Sequence, residues 1–148
     1  METRTPAPII KQERNSTDDL NAERYQLARN ALAQNQPQRA YELLRDNPPA
    51  LANNSDYHAV LAAAEQQLGH YADAGLRYQQ LLMIDQNQAS WWLGLALSLD
   101  QNQSLDGAHR SSEALAAYQH AVQLNSLPEA AHQYAAARIA ALSHSAEQ

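Results

Sequence analysis

Six histidines, sixteen carboxylates and a tandem tryptophan are the side chains of this 148-residue chain with chemistry to offer. A zinc site needs three or four converging ligands, often two histidines four apart on one helix. His58, His70, His109, His120, His132 and His144 are never four apart, and no His-Glu-x-x-His motif occurs. There is no cysteine, which removes disulfides, thiolate metal sites and thiol nucleophiles together. Acid–base catalysis needs two carboxylates in one cleft. Here the acids are spread singly, as solvated helix faces would carry them. Ser111-Ser112-Glu113 reads as a helix cap rather than a nucleophile. Gly69, Gly75, Gly94 and Gly107 form no phosphate loop. No catalytic residue, metal or cofactor is expected.

The tandem Trp91-Trp92 needs a separate reading. Neighbouring helix positions point about 100° apart, so the two rings meet different surroundings. Trp92 is expected to pack between helices, and Trp91 to cover an edge or meet a partner.

The elements that position these residues follow from composition. Ala (29), Leu (20) and Gln (17) fill 66 of the 148 positions, whereas Val, Ile and Thr fill 9. The first set loses little side-chain freedom in a helix, and the second favours strands. An all-α fold is expected. The formal net charge is −6 and Lys11 is the single lysine, which argues against nucleic-acid binding. No apolar run approaches the roughly 18 residues that span a bilayer, so no direct membrane insertion is expected. The first twenty residues also lack the apolar core of a signal peptide.

Leu27-Ala28, Leu61-Ala62 and Leu95-Ala96 recur at a spacing of 34 residues. Ala40 and Ala74 keep the same spacing, as do Leu44 and Tyr78. The third copy has Ala114 and Tyr118, six residues late, which places an insertion at Asn102–Ser111. This pattern resembles the tetratricopeptide repeat (TPR), whose signature is that period with a large residue, Leu, a small residue, Ala and an aromatic. Repeats then start at Asn21, Ser55 and Ala89. Small residues let helices A and B approach closely at their crossing. Gly69 suits a left-handed turn between them.

The expected architecture is a right-handed TPR superhelix of three helix pairs plus a C-terminal capping helix. Helices are expected at 21–34, 37–47, 55–68, 71–84, 89–101, 108–124 and 128–142. Ala131, Ala135, Ile139 and Leu142 give the last helix one apolar face. Pro48-Pro49 should end the second helix near Asn47 and start an extended link to Ser55. Residues 1–20 read as a disordered tail that approaches a helix start at Ser16–Asp19, 21–142 as the TPR domain, and 143–148 as a second tail.

Three segments carry a narrower resemblance: Ser55-Asp56-Tyr57 opening repeat 2, Ala89-Ser90-Trp91-Trp92-Leu93-Gly94-Leu95 opening repeat 3, and the ending LPEAAHQYAAARIAAL. Together they resemble the C-terminal repeat region of the MshN family, biogenesis proteins of the MSHA type IV pilus. That resemblance implies a non-catalytic scaffold for pilus-assembly components. It also implies a periplasmic location, with anchoring through a membrane segment absent from this chain.

In the repeat family the inner faces of the A helices line a concave groove. Matched by position, these are Tyr25, Arg29 and Leu32, then Ala59, Ala63 and Gln66, then Leu93, Leu97 and Asp100. Repeat clamps that hold an acidic peptide terminus use several basic residues, and this set offers Arg29 alone. A groove of Ala and Leu suits an apolar protein or peptide segment instead. The competing expectations are self-association into a homodimer, partial filling by the chain's own terminal helix, and a generic peptide-binding co-chaperone or regulatory adaptor.

Overall fold

The computed structural model describes residues 16–146. Of the tails expected at 1–20 and 143–148, residues 1–15 and 147–148 lie outside the described residues. Among those described there are seven α-helices, one 3-10 turn at Leu51–Asn53, and no strand. The helices are α1 (Thr17–Ala33), α2 (Pro37–Leu44), α3 (Ser55–Gln67), α4 (Tyr71–Ile84), α5 (Ala89–Gln101), α6 (Gly107–Gln123) and α7 (Glu129–Ala146). Each packs on the next, and α1, α3 and α5 also touch in sequence, as stacked helix pairs require.

Local chemistry sets the boundaries. The Ser16 hydroxyl accepts from the Asp19 amide at 3.1 Å, and Asp18 and Asp19 oppose the helix dipole. Helix α1 therefore starts one turn before Asn21, and residues 17–20 belong to it rather than to a tail. Helix α2 begins on Pro37 and ends at Leu44, earlier than expected. The residue before a proline avoids the helical region, and Asn47 takes a φ of 49°. Arg24 of α1 closes this end, donating to the carbonyls of Leu43 at 3.4 Å and Asp46 at 2.9 Å. Gly69 has a φ of 85° after α3, and Asn35, one repeat earlier, has 59° after α1. Both turns carry the six-to-one closing bond, Gln36 to Ala31 and His70 to Glu65, each 2.8 Å.

The insertion lengthens α6 more than it makes a loop. Asp106 caps that helix, its carboxylate accepting from the His109 amide at 3.1 Å. Ser111-Ser112-Glu113 thus lies inside α6 and is not its cap. The reason is that Asp106 offers a carboxylate one turn earlier. Helix α7 runs on to Ala146, past the expected end at Leu142.

The small residues behave as helix crossings demand. Ala28, Ala62, Ala96, Ala40, Ala74 and Ala114 are all fully buried. Leu44, Tyr78 and Tyr118 fill the space one turn on, and all three are buried. Leu61 and Leu95 are buried as well, whereas Leu27 is 41% exposed. The apolar interior divides at α3. Leu61 and Ala64 join α1 and α2 on one side, while Ala62 faces the larger cluster running to α7. Ala135 and Leu142 of α7 are buried against that cluster.

Candidate partner-binding groove

The expected groove residues have several different surroundings. Leu32 of α1 and Ala59 and Ala63 of α3 do come together. With Val60, Tyr78, Ser90 and Trp91 they line an open apolar cavity of about 240 Å³. Tyr25 instead lines a polar cleft of about 290 Å³ with Asp18, Asn21, Asn54, Asp56 and Tyr57. Arg29 is exposed, its guanidinium 5.6 Å above the Tyr25 ring. Leu93 and Leu97 are half-buried and rest on the larger core cluster.

Two members of the expected set are engaged within the fold. The Gln66 amide donates to the Gly94 carbonyl and the Ser98 hydroxyl, each at 2.8 Å, tying α3 to α5. Asp100 accepts from Arg138 of α7 at 2.8 and 3.0 Å and from the Tyr118 hydroxyl at 2.9 Å. Arg138 of α7 thus pairs with the one acidic member of the expected set.

The tryptophans take the opposite places from those expected. Trp91 is 8% exposed, more buried than an edge position, and walls the apolar cavity. Trp92 is half-buried and stacks on His120, the ring centroids 4.2 Å apart, while its indole N–H donates to the Gln86 carbonyl at 2.9 Å. The 100° step between neighbours separates the rings, but the rotation of α5 on α4 decides which one turns inward.

Carboxylates are not all on solvated faces either. Glu65 is 4% exposed and meets Arg77 of α4 through both oxygens, at 2.8 and 3.2 Å. His58, also buried, stands beside Arg77. Burial keeps the Tyr57 phenol above its ordinary range, and its hydroxyl donates to the Leu44 carbonyl at 2.7 Å. Burial and the bond to Asp100 likewise push the Tyr118 phenol well up. Among the described residues no three His, Cys, Asp or Glu gather where a metal ion could sit. No helix among them is long and apolar enough to cross a membrane.

Sequence reasoning missed Val60, Tyr78 and Ser90 as cavity walls. Val60 follows Ala59 directly, and helical spacing admits 56, 60, 63 and 67 as readily as 59, 63 and 66. Tyr78 reaches the cavity from a B helix because Gly94 leaves room for its ring.

Helix pairs at a 34-residue period, buried small residues at their crossings and left-handed turns between them define a TPR-like helical-repeat fold. Two solved structures share it, both of the Yersinia enterocolitica type III secretion translocator chaperone SycD. One has a TM-score of 0.71 and 19% identity, covering 90% of this chain and 89% of that one. The other, an alternative dimer, has a TM-score of 0.69 and 21% identity, covering 90% and 98%. At such identity the likeness is one of fold. It supports the repeat architecture and not the narrower resemblance to the MshN family. No protein-family model and no curated protein matches the chain.

Proposed function

We propose that this chain is a non-catalytic protein-binding module that takes an apolar segment of a partner into the cavity between α1, α3 and α5. The observation that carries this is the cavity of Leu32, Ala59, Val60, Ala63, Tyr78 and Trp91, open to solvent and almost free of polar groups. Open apolar concavities are the usual seats of extended or helical peptides. The partner we propose is a component of MSHA-type pilus assembly, met in the periplasm. The segments at Ser55–Tyr57 and Ala89–Leu95 support that narrower reading. A second reading, a secretion chaperone, is supported by the two fold neighbours, both described as translocator chaperones.

The test places a photoreactive residue at Ala63, inside the cavity, and at Met83, which is 86% exposed on α4. Crosslinking to a pilus-assembly component from Ala63 and not from Met83 is expected. Leu32→Asp and Ala59→Asp, each on a wall of the cavity, should weaken that capture about tenfold, or 1.4 kcal/mol, with the helical signal kept. Capture of a secreted translocator instead selects the chaperone reading. A crosslink to a second copy, with a dimer in sedimentation, selects self-association. Equal capture from both positions overturns the groove.

A further inference from the structure

The two core clusters meet at α3, and a buried polar group crosses the same joint. His58 lies in the first turn of α3 and is 6% exposed. Its Nε2 sits 2.7 Å from the Pro49 carbonyl oxygen, and its Nδ1 3.1 Å from Nη1 of Arg77. A carbonyl accepts and a guanidinium donates. Nε2 therefore carries the proton, Nδ1 is bare, and the imidazole is neutral. Pro49 belongs to the link that leaves repeat 1, whereas Arg77 and its partner Glu65 belong to repeat 2. The Tyr57 hydroxyl bond to Leu44 spans the same boundary.

We propose that His58 is a pH-sensitive joint: its protonation releases the Pro48-Pro49 link and loosens repeat 1 from repeat 2. A second ring proton would strengthen the bond to Pro49. It would also turn Nδ1 into a donor facing the Arg77 donor at a buried site, so the imidazolium is driven out toward water and the Pro49 bond goes with it. Of the other charged and titratable groups around it, Glu65 opposes that change only in part. Glu65 on α3 is already held by both arms of Arg77. Tyr57, its neighbour on α3, lies 5.7 Å from the imidazole ring. Arg24 of α1 stands 5.6 Å above the Tyr57 ring, adding positive charge. Asp46, after α2, acts on Tyr57 and makes a 3.8 Å pair with Arg45 at the surface.

Burial first, and Arg77 after it, hold the imidazole below its ordinary value of 6.5, against the opposing bond to Pro49 and the opposing charge of Glu65. The sign follows from proton linkage. Between the folded and unfolded pKa values the unfolded chain binds more protons. The contribution of His58 is therefore complete above 6.5 and is lost as pH falls below it toward the folded value. The loosening stays local because stacked repeats feel mainly their nearest neighbours. Leu32 on one side of the joint and Ala59 and Ala63 on the other wall the apolar cavity, so the joint also sets its width.

Amide hydrogen exchange on the full chain, corrected for intrinsic rates, reads this without any partner. From about pH 7.5 to about pH 5, protection at 40–58 should fall roughly tenfold while α5 and α6 hold. His58→Gln can donate to Pro49 and accept from Arg77 without titrating, and should keep its protection at both pH values. Flat protection in the wild type, or an equal loss in His58→Gln, overturns the proposal. Nuclear magnetic resonance titration of the wild-type ring gives a second reading that needs no variant. A His58 midpoint at or above the ordinary value of about 6.5 overturns it as well.

Discussion

Asp100 and Arg138 stand 38 residues apart in the chain and meet in a two-pronged ion pair, at 2.8 and 3.0 Å. The Tyr118 hydroxyl donates to the same carboxylate at 2.9 Å. One group, its side chain 10% exposed, thus gathers α5, α6 and α7. The guanidinium's bond to Asp100 holds its pKa above the ordinary arginine value. Ala135 and Leu142 supply apolar contact for α7, and the ion pair fixes its rotation.

Removing Arg138 leaves that carboxylate poorly solvated, with Tyr118 as its remaining donor. Arg138→Ala should therefore cost about 1–3 kcal/mol in urea unfolding. Asp100→Ala removes the buried charge as well, so the double variant should lose less than the sum, by about 0.5 kcal/mol or more. Additive losses would show that the pair does not position α7.

The tryptophan assignment gives a direct comparison. Trp91→Ala empties a buried site and should cost about 3–5 kcal/mol. Trp92→Ala loses a half-exposed stack on His120 and the bond to Gln86, and should cost about 1–2 kcal/mol. Thermal or urea unfolding of the two variants decides it. The reverse order would return Trp92 to the core.

Helix pairs were legible in the sequence because their signals are local. Ala62, Ala74, Gly69 and the 34-residue spacing place α3 and α4 within a residue of their observed ends. Even the early start of α1 is written in Ser16 and Asp19. What was not legible depends on how one helix is rotated against another. Glu65 meets Arg77, and Asp100 meets Arg138, across helix interfaces where no fixed spacing announces a pair. The same rotation decides which of Trp91 and Trp92 turns inward. Nor could spacing show that Gln66 and Asp100, placed on the groove by repeat position, bond to neighbouring helices.

Two helical glycines give opposite expectations from the same substitution. Gly75 lies inside α4, where a Cβ would meet the Ser98 Cβ at an ordinary 3.6 Å. Alanine there fits the space and restricts the unfolded chain, so Gly75→Ala should stabilise by about 0.5–1 kcal/mol. Gly94 lies inside α5, where a Cβ would fall within the Tyr78 ring. That ring is buried between α4 and α5, so it can yield only toward the apolar cavity, at the cost of its packing. The overpacking term, about 1–3 kcal/mol, meets or exceeds the helix-propensity gain of about 1 kcal/mol. Gly94→Ala should therefore destabilise, and should shift Tyr78 into the cavity. Calorimetry of the two variants side by side tests the sign of each. If Gly94→Ala raised the melting midpoint as Gly75→Ala does, the close approach of Tyr78 to α5 would not hold, and the shape of the cavity would have to be redrawn.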